Sequence, residues 1–180
     1  VTASSVSTAR NGRRDLTRLA LFAIVAFGAG ALSVAWIGEH AFGIAPCILC
    51  LYQRVPYGVV AVVAAAAALL PLSAKHRRGA LALCSAVFLA GSLLAFYSVG
   101  VEEHWWAGVP GCRVPSVPET VSAEELLASL SQRGGLRACD EGVWRLLGVS
   151  LAGYNVVVQG LAALAGVLAL KWLKSPGQGR

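Results

Sequence analysis

Pro46-Cys47-Ile48-Leu49-Cys50-Leu51-Tyr52-Gln53-Arg54 sets two cysteines at the edge of a long apolar run, with one arginine a helical turn beyond the second sulfur. At a helix start, the unpaired backbone N–H groups and the positive end of the dipole favour thiolate over thiol. Thiolate is the species that attacks disulfides and leaves in exchange. Continued helix would put Cys50 and Arg54 on one face, with a fixed cation beside the inner sulfur. An arginine entering an apolar segment is costly and marks function by default. The stretch reads as a thiol–disulfide centre built into a membrane.

The surrounding charge pattern supports the membrane reading. The 180 residues are 57% hydrophobic and only 13% charged, about half the charged share of a soluble domain. No Asp, Glu, Lys or Arg occurs in 19–38, 55–74, 79–101 or 146–170. At ~1.5 Å rise per residue, each run crosses a hydrocarbon core of ~30 Å as a helix. The predicted fold is therefore all-α and integral to a membrane: a four-helix transmembrane bundle.

Basic residues sort by side. Arg10, Arg13, Arg14 and Arg18 precede the first run; Lys75, Arg77 and Arg78 join the second to the third; Lys171, Lys174 and Arg180 follow the fourth. That side holds 10 basic residues and one acid, and the other 5 basic residues and 8 acids. The positive-inside rule places both termini and the 75–78 turn in the cytoplasm, with the cysteine motif and the long loop outside. The net charge of +6 thus reads as a solvated basic face and not as a nucleic-acid patch.

The predicted organisation is a disordered cytoplasmic start over 1–15, a membrane domain over 16–174 and a cytoplasmic tail over 175–180. Spans fall at about 19–38, 49–71, 80–101 and 147–170, with outer loops over 39–48 and 102–146. The apolar run of 19–38 exceeds the ~7–15 residues of a signal-peptide core, so it is read as a retained span. Gly28 and Gly30 read as close-packing positions for a neighbouring helix. Pro56 predicts a kink near the start of the second span. In the long loop, Trp105 and Trp106 suit an interfacial belt. Pro110, Gly111, Pro115 and Pro118 predict an extended or turning segment that leaves Cys112 accessible. Ser122 to Glu125 fits a capping box, and Val121 with Leu126 a hydrophobic staple, for a short amphipathic helix to about Ser131.

Four of the five cysteines, Cys47, Cys50, Cys112 and Cys139, fall on the outer side, where disulfides persist. Cys84 lies in the third span and reads as a small packing residue. The four outer cysteines leave three chemistries open. Zinc needs four N or S ligands in closed geometry, for which His40 and His104 are the additional candidates. The sequence between Cys112 and Cys139 is not a compact knuckle, so no metal is expected. Inert structural disulfides do not explain a small ring at a membrane edge beside an arginine. Short, exposed rings tend towards the labile end of the potential range.

Taken together, the Cys-x-x-Cys with Tyr52-Gln53-Arg54, four spans with inside termini and a second loop cysteine pair resemble the DsbB family. These are bacterial inner-membrane thiol–quinone oxidoreductases. Glu103-His104-Trp105-Trp106, Cys139-Asp140, and Trp144-Arg145 leading to Leu151-Ala152-Gly153-Tyr154-Asn155 resemble one branch of it, over roughly Leu19 to Leu173. Gln53 stands where some members carry an acid.

The resemblance implies a relay. A periplasmic DsbA-like thioredoxin-fold oxidase would attack the Cys112–Cys139 pair at Cys112. Cys139 would pass reducing equivalents to Cys47–Cys50 through Cys47, and Cys50 would be released as thiolate beside a quinone. Arg54 would stabilise the negative charge, and His104 would hold or protonate a quinone oxygen. A DsbA-type pair sits near about −120 mV, against about −180 to −210 mV for an endoplasmic-type glutathione poise. Reoxidation by such a thiol buffer would run uphill by roughly 3–4 kcal/mol. A membrane quinone, ubiquinone in preference to menaquinone, is the implied acceptor. The competing classes are a four-span transporter or metal-binding membrane protein with structural cysteines, and a family member dedicated to a specialised thiol partner.

Overall fold

Runs of apolar residues without an internal acid or base become helices because a backbone in hydrocarbon must satisfy its own hydrogen bonds. The computed structural model describes residues 3–112, 137–140 and 145–173. Its helices are α1 (Ala3–Phe42), α2 (Ile48–Tyr52), α3 (Val55–Leu69), α4 (Ala74–Glu102) and α5 (Leu151–Leu173), with a two-stranded hairpin, β1 (Arg145–Leu146) and β2 (Val149–Ser150), before α5. Among the described residues, four segments are long and apolar enough to cross a membrane: Asp15–Phe42, Ile48–Leu69, Ala74–Glu102 and Leu151–Leu173.

The fold is thus the all-α membrane bundle, with differences in detail. Helix α1 begins at Ala3, in place of the disordered start expected over 1–15. No proline lies between Ala3 and Arg18 to stop the span's helical phase from running backwards. The second span is broken, not merely kinked. Pro56 has no N–H for the Tyr52 carbonyl and its ring crowds that carbonyl, so the helix stops at Tyr52 and restarts at Val55. Gln53 and Arg54 keep right-handed dihedrals across the gap. The fourth span starts at Leu151, later than expected, because Leu147 (φ 53°) and Gly148 (φ 80°) form a tight turn between β1 and β2. The expected amphipathic helix near 122–131 lies outside the described residues.

Helix α3 packs between α1 and α4, and α5 covers α4. Leu21, Val60, Ala64, Phe88 and Cys84 form the buried centre, where Phe27, Tyr57 and Phe88 meet at centroid distances of 5.7 to 6.2 Å. Cys84 is buried and unpaired, the packing role its position implied. Gly28 is the close-approach position of α1: a Cβ there would lie 2.8 Å from the Tyr57 carbonyl. Gly30 has nothing within reach and is not an interface residue, which corrects that expectation; it lies two positions from Gly28 and so points elsewhere on the helix.

Small and hydroxylated residues seam α4 to α5. Ser92 Oγ donates to the Val156 carbonyl at 2.9 Å, and a Cβ on Gly166 would lie 2.1 Å from Ser85 Oγ. Backbones approach closely there without a hydrophobic drive, the usual route to association in lipid. The bundle's outside is apolar instead: Leu19, Val34, Val62, Leu93 and Leu161 all stand exposed. Such a surface fits lipid and would be a liability in water. At the opposite end from the cysteines, buried Arg77 donates to the carbonyls of Ala67 and Leu70 and so caps the C-terminus of α3 with charge of the favourable sign.

Candidate functional site

Glycine ends α1. Gly43 takes φ 64° just past Phe42, a conformation that costs other residues more. The chain then turns, and Cys47 becomes the N-cap of α2, its sulfur accepting from the Cys50 N–H at 3.0 Å. Cys47 and Cys50 are joined as a disulfide, and Cys112 and Cys139 as another.

The two disulfides are neighbours. Cys47, Cys112 and Cys139 are buried in one apolar cluster with Leu49 and Val101, flanked by Cys50, Ile48, Tyr97 and Val109. Backbone pairing aligns them. The Arg137 N–H donates to the Pro46 carbonyl at 3.1 Å, a parallel bridge that sets Arg137 against Cys47. Two residues on, the Cys139 N–H donates to the Cys112 carbonyl at 3.0 Å. The 137–139 segment is therefore stitched to both motifs at once.

Cys112 is only 3% exposed, which corrects the expectation of an accessible sulfur. Gly108 explains the difference. A Cβ on it would come within 2.7 Å of Cys112 Cβ and 3.2 Å of Val101, so its bare backbone lets the turn close down on the end of α4. Proline and glycine in the sequence indicate a turn but not which way it folds.

Arg54 does not stand alone at the membrane edge. Its Nη2 donates to Glu39 Oε1 on the last turn of α1, and both side chains are partly buried, at 27% and 20% exposure. His104 sits just past α4 with φ 59°, exposed, and forms no side-chain hydrogen bond among the described residues. Beside it, Trp106 stacks on Tyr97 at 5.8 Å, donates to the Tyr97 carbonyl and lies over Gly100, where a Cβ would be 2.0 Å from its ring. Trp106 is thus built into the end of α4, beyond a plain interface anchor. Trp105 is the more exposed of the two, at 58% against 39%.

Below the cysteines lies a polar chain. Gln53, 6% exposed, donates to Ser98 Oγ at 2.8 Å and accepts from Asn155 Nδ2 at 2.6 Å. Asn155 Oδ1 in turn accepts from Tyr57 and from Gln159 Nε2. A carboxylate could not both donate and accept at position 53, so the neutral amide suits this bundle. Gln159 is fully buried and fits because Gly91 leaves its carboxamide room. The chain ties the break in the second span to α4 and α5.

Sequence reasoning placed the four cysteines and Arg54 at one end of the bundle and missed Glu39 and the Asn155 contact. The signal for Glu39 was present: an arginine in an apolar setting calls for a named counter-charge, and Glu39 is the acid nearest before it. Chemically, paired disulfides in a shared cluster allow electrons to pass by successive thiolate attack, since each exchange needs only contact between sulfurs. Closed disulfides are not thiolate metal ligands.

Comparison with known proteins agrees with this geometry. The family model described as "Disulfide bond formation protein DsbB" matches residues 17–169. The chain is similar to the "Disulfide bond formation protein B" of Marinobacter nauticus, at 32% identity over 157 residues covering 82% of this chain and 88% of that one. The protein of the same name from Azoarcus sp. is 31% identical over 159 residues, covering 84% and 88%. That from Stutzerimonas stutzeri is 28% identical over 148 residues, covering 76% and 85%.

Proposed function

The chain belongs to the DsbB family of disulfide bond formation proteins, and on that premise we propose that it oxidises a periplasmic DsbA-like thioredoxin-fold dithiol through its loop disulfide and passes the electrons to a membrane quinone. The observation that supports this most directly is the packing of Cys47–Cys50 and Cys112–Cys139 in one cluster at the end of a membrane bundle.

The partner's thiolate attacks Cys112. A partner–Cys112 bond forms, the Cys112–Cys139 bond breaks, and Cys139 leaves as thiolate. Cys139 then attacks Cys47, and Cys50 leaves as thiolate. The partner's second thiolate displaces Cys112 and releases oxidised partner. The freed Cys112 thiolate attacks Cys139, breaking the Cys139–Cys47 bond, restoring the loop disulfide and releasing Cys47 as thiolate. Two electrons now reside on Cys47 and Cys50. Because Cys112 is buried, the first attack requires the loop to open locally. The backbone bridge from Arg137 to Pro46 keeps Cys139 near Cys47 for the second.

A quinone, when bound, supplies the two-electron, two-proton acceptor that returns Cys47 and Cys50 to the disulfide. The donor set fits such a group. Arg54 carries guanidinium N–H groups beyond the one committed to Glu39, suited to a carbonyl oxygen, and apolar Val55 and Tyr52 stand exposed beside it. We assign Arg54 to holding the quinone oxygen and stabilising charge on Cys50, and His104 to a second contact or proton transfer. Ubiquinone is assigned over menaquinone on the family resemblance alone. The direct test is anaerobic absorbance of quinone in the presence of reduced thioredoxin-fold partner. Stoichiometric loss of the quinone band is expected, and its absence in a Cys47→Ala variant. A quinone band that persists with every reduced partner would reject the reading.

The charge asymmetry supports cytoplasmic termini and a periplasmic cysteine end in the inner membrane. Reporters fused after Lys75 and Lys174 are expected to be cytoplasmic, and one inserted near Ser131 to be external. An external signal at Lys75 would reverse the sidedness of all four redox cysteines.

A further inference from the structure

The ion pair between Glu39 and Arg54 joins the last turn of α1 to the break in the second span, one turn beyond Cys50. It matters for redox chemistry because of the state in which it is seen. Both disulfides are closed, so Cys50 carries no charge and Arg54 has Glu39 as its counter-ion. Reduction changes that balance. Two electrons and one proton convert Cys47–S–S–Cys50 to a Cys47 thiol and a Cys50 thiolate. A new anion appears four residues before a cation that is already paired, with right-handed backbone at Gln53 and Arg54.

A lone guanidinium one turn along the chain would favour the thiolate, since a nearby opposite charge favours the ionised form and partly buried charges are screened less than exposed ones. The Cys47–Cys50 pair would then be easy to reduce and correspondingly poor at giving electrons onward. A carboxylate on the same guanidinium offsets that pull. We propose that Glu39 is a positioning residue that sets the reduction potential of Cys47–Cys50 by dividing the Arg54 charge between its own carboxylate and the Cys50 thiolate. The inference rests on the redox role given above to this cysteine pair. The thioredoxin-fold dithiol supplies the electrons in turnover. Glu39 itself transfers nothing: it holds the guanidinium on the α1 side while the disulfide is closed, and competes with the thiolate once it opens.

The test is a redox titration of the full chain in lipid nanodiscs, stripped of quinone and without partner. Samples are equilibrated in dihydrolipoate buffers of graded poise, and each cysteine is read by differential alkylation and peptide mass spectrometry. Glu39→Gln keeps size and hydrogen bonding and removes the charge. It is expected to favour the reduced Cys47–Cys50 pair about tenfold, a potential about 30 mV more positive, with Cys112–Cys139 unmoved. Glu39→Asp, with its charge on a shorter stem, is expected to shift the pair in the same direction by less, and it carries the test alone where Glu39→Gln does not fold. In an Arg54→Leu background, Glu39→Gln should cause no such shift relative to Arg54→Leu alone, because Glu39 acts through the guanidinium. A merely structural tie between helices would leave the potential of a folded variant unchanged. An unmoved or more negative potential, a shift in Glu39→Asp as large as in Glu39→Gln, or a shift that survives loss of Arg54 would each overturn the proposal. Since the titration contains neither quinone nor partner, its failure is distinct from a failure of the electron route proposed above.

Discussion

Replacing Cys139 by alanine is expected to lower steady-state oxidation of the thiol partner by a factor of about 1,000 or more and to leave partner covalently attached at Cys112. Without Cys139 the loop has no internal disulfide, and no thiolate exists to carry electrons across the Arg137–Pro46 bridge to Cys47. The Cys112 thiolate can still open an oxidised partner's disulfide, and with Cys139 gone only the partner's own second thiolate can displace the bond, so rapid alkylation of that thiolate captures the adduct. The adduct should appear on a non-reducing gel, vanish with reductant and map to Cys112 by mass spectrometry. Burial predicts a further detail. Since Cys112 is 3% exposed in the closed cluster, loss of the disulfide partner should also raise its rate of alkylation. Cys84→Ala is expected to leave turnover unchanged, because that thiol packs against the Val60 carbonyl inside the bundle. An adduct at Cys47 would mean that the loop pair is structural and the order of the relay is reversed.

The parts of this arrangement that were legible in the sequence are those fixed by local composition. Charge-free runs gave four spans, because the cost of an ionised group in hydrocarbon acts residue by residue. Gly28 and Cys84 were legible for a similar reason, as small residues within long apolar helices. The cysteine pairing came from resemblance; spacing alone leaves three connectivities for four cysteines. What could not be read depends on partners distant in the chain. Glu39 finds Arg54 across a turn, and Gln53 finds Asn155 between different spans. No periodicity encodes either contact. The hairpin before α5 was hidden because a Leu147-Gly148 turn lacks the Asn or Asp that normally marks such turns. Cys112 was expected to be open because its flanking turn residues report backbone shape and not the neighbour against which the turn closes.

The buried amide chain adds an argument about why the second span tolerates its break. Pro56 costs a backbone hydrogen bond at the point where the redox motif ends. Gln53 lies in the gap itself and spends both ends of its carboxamide on other helices, Ser98 of α4 and Asn155 of α5. The break is therefore held by side chains where the backbone is interrupted, as polar groups in lipid must be. Cys50 lies before the break and Arg54 within it, so the clamp fixes their separation more firmly than an unsupported kink would.

Arg54→Leu is expected to slow quinone-dependent turnover by about 10- to 100-fold, roughly 1.4–2.7 kcal/mol of transition-state stabilisation, and to raise the quinone concentration needed for half-maximal rate. Exchange between partner and Cys112–Cys139 should continue, since that chemistry occurs before Arg54 is engaged. The ion pair with Glu39 complicates a naive reading of this variant. Removing the guanidinium also strands a partly buried carboxylate, and unpairing a partly desolvated charge destabilises for reasons unrelated to electron transfer. The double variant Glu39→Gln/Arg54→Leu separates the two effects. It should recover the thermal stability lost by the single leucine variant while its turnover stays low. Arg54→Lys should restore the pairing with Glu39 through a point charge, yet recover turnover only in part, because one flexible ammonium cannot hold Glu39 and a quinone oxygen with the planar fork of a guanidinium. Stopped-flow quinone reduction on the four proteins at equal folded concentration measures this. If lysine restored the full rate, or if the double variant regained turnover together with stability, Arg54 would be an anchor for the second span and nothing more.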